Sequence, residues 1–442
     1  ISTLHPERPL MHPRLKPTLR RAWRDLKTLQ LGVTPAHART IGPVGDGVAG
    51  LLRKFDGTRG LELLRKEARE CGVSAERLDE LLARLAAQGL LDDATAGTGD
   101  PDVERLRAGV GAGERLAPEA AALSLVEEEP GGGLRKLAAR GRMRVQVRGA
   151  GRVGAQAAAL LSAAGVGRVD VVDGGFVEPA DVTPGGVSAG SVGERRADAA
   201  RRLARQCAPG LPARPRPRAE GPSPCGLSPA YDLVVLTPRD GLAAYVPDPA
   251  EAEGFAHAGI PHLYAGVVEA TGFVGPLVRP GESACAGCME RWRVEEDGDW
   301  PRLLVQWRSG RAAAAPAGEV TLAAAVAGLA AGHALAHLDG GRPASVGRRW
   351  EAELACLAWR STRLGPHPGC PCGARTSRTD PPGTPGCHGD RYRLKRSNAA
   401  GDNGRGALRV TGRGGRPTAR EGTAVRSPGR QSGIRIKGGA HV

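Results

Sequence analysis

The chain has 442 residues, a formal net charge of +15 and an aromatic content of only 3%. That length accommodates two or three domains, and the shortage of aromatics means the core is built from Leu, Val and Ala. The charge is not the footprint of a nucleic-acid-binding fold, because residues 375–442 hold 15 Arg and Lys against 4 Asp and Glu, which leaves +4 for the first 374 residues.

The opening residues, from Ile1 to Arg14, contain charge and proline but no apolar run of signal-peptide length, so no export is expected. Residues 1–92 read as a winged-helix-like module. Thr28 to Val33 and Ala38 to Ile41 suggest a small hairpin, with an exposed edge strand within Leu26 to Val33. Three helices are expected over Val44 to Phe55, Gly60 to Cys71 and Ser74 to Gln88. Ser74 is placed to cap the last of them, Leu78, Leu81, Leu82 and Leu85 share one face, and Gly72 and Gly89 are placed as helix stops. Residues 93–142, broken by Pro101, Pro118 and Pro130, read as a linker with some helix.

From Met143 to Asp173 the pattern is a β-branched strand, a G-x-G-x-x-G turn, an Ala/Leu-rich helix and a second strand ending in an acid. Gly149 and Gly151 permit a tight turn and close backbone approach to a phosphate. Gly154 lets the helix rest on the strand, and Asp173, 19 residues further on, is placed to reach a ribose hydroxyl. The same glycines also suit a tight turn that holds no ligand.

Helices at Glu194 to Gln206 and Pro249 to His257 alternate with strands at Tyr231 to Leu236, His262 to Val268 and Gly272 to Val278. This predicts an α/β fold with a largely parallel, Rossmann-like sheet over residues 143–374. Val320 to Leu338 is long and apolar but Ala/Gly-rich and carries His333 and His337, so a buried helix is expected and no membrane association. Residues 375–442, rich in Gly, Pro, Arg and Ser, read as a disordered basic tail that touches no nucleic acid specifically.

Cys285 and Cys288 form one tight pair, and Cys370 and Cys372 another. Brought together, they supply four soft ligands for a tetrahedral, structural zinc. A redox pair at Cys285 and Cys288, or reduced thiols that bind nothing, are the competing readings, and His367 is close enough to replace one thiolate. The other five cysteines, Cys71, Cys207, Cys225, Cys356 and Cys387, stand alone and read as small fillers or loop residues. Clustered thiols beside a nucleotide-type fold favour a cytoplasmic, reducing setting.

The run G-A-G-R-V-G, the stretch V-D-V-V-D-G-G-F-V-E-P-A-D-V, S-V-G-E-R-R-A-D-A-A-R-R-L, G-F-V-G-P-L-V-R-P-G-E-S-A-C-A-G-C and the late C-P-C together resemble the ThiF/MoeB family, relatives of ubiquitin-activating enzymes. That resemblance implies ATP and Mg, adenylation of a small protein's C-terminal carboxylate, and a four-cysteine zinc. Gly149, Gly151, Gly154 and Asp173 match the family's phosphate turn and ribose acid, and Arg196 stands where a lysine is usual. Asp181 to Gly185 lies where the family has an Asn-Leu-x-Arg-Gln run, and Leu236 and Arg239 replace acids near the metal, with Asp240 remaining. These departures remove an arginine clamp and hard oxygen ligands that Mg-ATP needs, and no catalytic residue is assigned.

With the N-terminal layout, the chain also resembles the leader-peptide-binding partner of azoline-forming (TOMM) cyclodehydratases, whose N-terminal module is PqqD-like. This implies that the protein binds a precursor leader peptide and presents it to a separate YcaO-type cyclodehydratase. An active ThiF-type adenylyltransferase is the second expectation, and an NAD-dependent dehydrogenase, which G-x-G-x-x-G with Asp173 also suits, is a distant third. A DNA-binding winged helix would draw on Arg20, Arg21, Arg24 and Lys27, but the helix after Ser74 mixes acids with its arginines and makes a poor groove reader. The sequence leaves a homodimer open.

Overall fold

The structure is a computed structural model and describes residues 11–109, 111–210, 231–309, 317–375 and 409–411. The chain divides into two compact units, one of Ile1–Thr18 with Gly45–Arg405 and a smaller one of Leu19–Val44 with Gly406–Val442. Residues read from sequence as one N-terminal module therefore fall in both units.

In chain order, β1 (Pro13–Leu15) belongs to the larger unit, and β2 (Arg21–Asp25), β3 (Thr28–Leu31) and β4 (Arg39–Gly42) to the smaller. Helices α1 (Asp46–Lys54), α2 (Leu61–Glu70) and α3 (Ala75–Ala87) lie within a residue or two of expectation. The Ser74 hydroxyl accepts from the Arg77 amide, and Gly72 and Gly89 close their helices in the left-handed region, where a side chain is disfavoured. β5 (Leu91–Asp93) then returns antiparallel to β1.

The span expected to be a linker holds four helices: α4 (Pro101–Ala108), α5 (Ala112–Arg115), α6 (Ala117–Val126) and α7 (Gly132–Arg140). Val103, Leu106, Leu116, Leu123 and Leu137 give them a core of their own. These apolar residues are sparse enough along the sequence to read as linker, and only the turns between helices bring them together.

The Rossmann-like region runs through β6 (Arg144–Arg148), α8 (Arg152–Ala163), β7 (Arg168–Val172), α9 (Arg196–Cys207), β8 (Leu233–Leu236), α10 (Leu242–Tyr245), α11 (Pro249–His257), β9 (His262–Val268) and β10 (Thr271–Val278). It continues with α12 (Ala286–Glu296), α13 (Trp300–Ser309), α14 (Val320–Leu338), β11 (Arg348–Glu353) and β12 (Arg360–Arg363). The sheet order is β12-β11-β10-β9-β8-β6-β7. The four strands β7, β6, β8 and β9 are parallel, but β9 to β12 are antiparallel, so the sheet is mixed and not largely parallel. The switch comes at a two-residue hairpin in which Glu269 and Ala270 both have positive φ. Neither is a glycine or an asparagine, so the usual sequence sign of such a turn is missing.

Alternate strand residues face two layers. Val145, Val147, Val235, Leu263 and Ala265 meet α8, α9 and α14, while Val234, Tyr264 and Phe273 meet α10, α11 and α12. The helix α14 has the length and hydropathy of a membrane span, yet Leu322, Val326, Ala330 and Ala334 are buried in the sheet's own core. A side chain on Gly272 of β10 would press on Val326 and Leu322 at 2.7 and 2.8 Å, so glycine is what lets α14 lie so near the strand.

In the smaller unit β3 is central. It pairs with β2 on one side and β4 on the other, and β4 pairs with β13 (Arg409–Thr411). The edge strand expected within Leu26 to Val33 is thus an interior strand, and among the described residues β2 is an edge of this sheet. The reason lies in Arg21–Asp25, whose five exposed residues carry no alternation that reveals a strand. The rest of the basic tail lies outside the described residues.

Candidate functional site

β6 ends at Arg148, β8 at Leu236, and the strand order reverses about β6, which opens a crevice at the carboxyl ends of these strands. A cavity of about 590 Å³ occupies it, bordered by Arg148, Gly149, Asp173, Arg196, Arg239 and Phe255. Gly149, Asp173 and Arg196, named from the sequence, all border this cavity. Gly149 has φ of 101°, and a Cβ there would strike the carbonyl of Thr237. A Cβ on Gly154 would strike the Gly149 carbonyl, and the Thr237 hydroxyl donates to that same carbonyl at 3.1 Å. These two glycines are therefore required by packing of the turn on the end of β8, whether or not a phosphate binds.

Asp173 is well occupied within the protein. Its carboxylate accepts from the amides of Ala150 at 2.8 Å and Gly175 at 2.7 Å and from Arg196 Nε at 3.0 Å. Arg196 also donates to the Phe176 carbonyl and lies 3.4 Å from Asp181, a carboxylate only 1% exposed. Arg239 reaches the same centre from the loop after β8, with ion pairs of 2.7 Å to Asp181 and 2.6 Å to Glu178. Two arginines and three acids thus pair with one another beside the glycine turn, with one negative charge in excess. Asp240 is not part of this network.

The chain of ion pairs lies beside Gly151 at the N-terminus of α8, the end of a helix that favours an anion. A Cβ on Gly151 would come within 3.2 Å of Arg239 Cγ, so Arg239 covers this glycine. The space bordered by Gly151, Asp181 and Arg239 is about 20 Å³, room for roughly one water. Mg-ATP needs hard oxygen ligands for the metal and uncommitted cations for the phosphates. Here the oxygens are spent on arginines and the arginines on oxygens, so the residues present do not fit the Mg-triphosphate group. The adjoining cavity, at about 590 Å³, is far larger.

Two features of that cavity escaped sequence reasoning. Arg148, whose Nε donates to Gln146 at 2.7 Å, lies over the Phe255 ring with its guanidinium carbon 4.7 Å from the centroid, and burial lowers its pKa. Tyr264 is 2% exposed with no hydrogen-bond partner for its hydroxyl among the described residues, and burial pushes its pKa up. Arg148 ends β6 and Tyr264 lies in the continuous apolar run of β9, so neither carries a sequence signal of its own.

The second site is the cysteine cluster. Cys285 and Cys288 flank the start of α12, and the turn at Cys370 and Cys372 meets them. The sulfur separations are 3.8 Å for Cys285–Cys288, 3.6 Å for Cys285–Cys370 and 3.5 Å for Cys288–Cys372. Four thiolates about 2.3 Å from a tetrahedral zinc stand roughly 3.8 Å apart, so the donor set fits that metal. The Cys285 thiol donates toward Cys288 and favours the Cys288 thiolate, whose pKa is lowered. Gly287 makes the approach possible, since a Cβ there would lie 3.3 Å from the Cys370 sulfur.

His367 is not among the candidate ligands. Its Nε2 meets Glu295 at 2.8 Å, its Nδ1 accepts from the Gly369 amide at 3.0 Å, and its ring packs edge-on against Trp292. It holds the loop that carries Cys370, whose amide donates to the His367 carbonyl.

The glycine turn, the acid after β7 and the four-cysteine centre agree with a sequence-family match over residues 131–372, more than half of the chain. The protein belongs to the ThiF family. No curated protein matches it by sequence. Solved structures share the ThiF fold at low identity. E. coli MccB with ATP is 14% identical, with 82% of this chain and 100% of that chain covered and a TM-score of 0.59. The microcin C7 biosynthetic enzyme MccB in complex with N-formylated MccA is 15% identical, with 82% and 100% covered and a TM-score of 0.58. PaaA is 18% identical, with 78% and 98% covered and a TM-score of 0.53. This ThiF protein therefore shares its fold with these structures.

Proposed function

We propose that this ThiF protein binds a precursor leader peptide and presents it to a separate, YcaO-type cyclodehydratase in the cytoplasm, without itself activating ATP. The observation that carries this reading is the ion network of Arg239 and Arg196 with Asp181, Glu178 and Asp173, which takes up the groups that a Mg-triphosphate would need. A peptide as partner draws support from the structure of MccB with N-formylated MccA.

For the peptide's seat we infer the outer edge of β4. That edge already accepts an extended segment, Arg409–Thr411, in antiparallel register, with Val410 opposite Ile41. An incoming peptide would satisfy the same main-chain groups by strand addition. The opposite edge, β2, displays Arg21, Arg24 and Asp25, and charged residues of this kind discourage pairing.

The test is calorimetric titration with the precursor's leader peptide, run on the full chain and on a variant ending at residue 375, beside an ATP–pyrophosphate exchange assay. The shortened chain is expected to bind the peptide more tightly, and exchange is expected to be absent. Absence of peptide binding to either form sinks the reading. Robust exchange would instead promote the adenylyltransferase, which the open 590 Å³ cavity beside Gly149 and Asp173 favours.

A further inference from the structure

A second cavity, of about 360 Å³, lies on the other side of the Tyr245–Pro247 segment from the first. Its walls include Tyr245, Met289, Trp292, Trp300, Leu364 and Arg349. Arg349 is 4% exposed, and its charge is poorly matched for so buried a group. Its Nη2 donates to the Tyr245 carbonyl at 2.8 Å and its Nε to the Gly275 carbonyl at 3.4 Å, while the Glu351 carboxylate stands as far as 4.0 Å from Nη1. The Tyr245 ring, 4.4 Å from the guanidinium carbon, compensates only in part.

The same cavity holds a second unmatched donor. Trp300 is 9% exposed, and its indole N–H has no partner among the described residues. Beyond these donors the wall is mixed, with apolar surface from Met289, Trp292 and Leu364 and further positive charge from Arg293 and Arg363, which suits a ligand that brings an anionic acceptor and a hydrophobic body. Glu290 and Glu296 also border the space, but they are half-buried and exposed, where solvent weakens their repulsion of an anion.

We propose that this cavity is a binding site for a carboxylate borne on an aromatic or aliphatic body, with Arg349 taking the carboxylate and the tryptophan walls taking the body. The carboxylate could come from a small organic acid or from the C-terminus of a peptide. The inference does not depend on leader-peptide capture at β4.

The test uses the full chain and four probes: N-acetylphenylalanine, its amide, and a heptapeptide ending in Phe with a free or an amidated terminus. Binding is read by calorimetry and by tryptophan fluorescence. Each free acid is expected to bind at least about tenfold more tightly than its amide, since a charged hydrogen bond is lost with the carboxylate. Tighter binding of the free peptide than of N-acetylphenylalanine assigns the site to chain termini, and the reverse assigns it to small acids. Equal affinity of acids and amides, or no binding up to millimolar concentration, overturns the proposal.

Arg349→Met removes the charge but also two carbonyl contacts, so a fold-preserving partner is needed. Leu364→Trp fills the cavity and leaves Arg349 in place. It is expected to abolish acid binding with an unchanged circular dichroism spectrum, and undiminished binding by this variant overturns the proposal as well.

Discussion

At the scale of single residues, Arg239 decides how the glycine turn is used. It stands a quarter exposed between Asp181 and Glu178, and its removal leaves the buried Asp181 with the longer contact to Arg196 as its ion pair and the Glu178 amide, at 3.0 Å, as a neutral donor. Arg239→Ala is expected to lower stability by about 1–3 kcal/mol, less than for a fully buried pair, as read by urea unfolding. A change below about 0.5 kcal/mol, typical of surface positions, would show that the network is not structural. His262 makes a second residue-scale prediction. It is fully buried, its Nδ1 donates to the Ile260 carbonyl at 3.2 Å, and desolvation lowers its pKa to about 4. The folded state therefore resists a proton that the unfolded state takes up near pH 6.5. Stability is whole above that pH and falls as the pH drops toward 4, by about 3 kcal/mol at most. His262→Leu should flatten this part of the profile, and urea midpoints at pH 7 and pH 5 would reveal whether it does. From sequence, His262 is only the first residue of a strand, since desolvation depends on α11 closing over it through Phe255.

Among elements, the cysteine turn at the start of α12 and the one at Cys370 are joined by metal or by nothing of comparable strength. One zinc per chain is expected by elemental analysis of purified protein. Structural zinc commonly contributes roughly 10–16 kcal/mol of apparent binding free energy, so Cys288→Ser should release the metal and loosen α12 and the turn at Cys370. Gly287→Val offers a gentler test. Its side chain would crowd the Cys370 sulfur, and zinc affinity is expected to fall about tenfold to a hundredfold in a chelator competition. Wild-type affinity in that variant would refute the close approach of the two turns. The four cysteines were legible in sequence because thiols recur at short spacing, but the role of His367 was not. Proximity in sequence suggested a ligand, whereas the fold turns its ring to Glu295 and Trp292.

For the molecule as a whole, the helices α4–α7 are bound into the larger unit by a buried ion pair. Arg140 of α7 grips Asp339 at the end of α14 through two contacts of 2.7 and 2.6 Å, with both side chains at most 10% exposed. Asp339→Asn leaves that guanidinium without its charge partner and is expected to cost about 3 kcal/mol in a single cooperative unfolding transition. A separate early transition for the helices would mean that they form an independent linker after all.

The sequence by itself determined strands β6 to β10 and helices α8, α9, α11 and α14, the glycine turn, the acid at Asp173 and the four thiols, because hydrophobic period, glycine and cysteine spacing are local signals. Only the tertiary structure decided the antiparallel half of the sheet, the interior place of β3, and the pairing of Arg239 with acids some 60 positions earlier. Strand order and ion pairing depend on which distant segments share a crevice. Loop closure and packing settle that, and no window of sequence contains both partners.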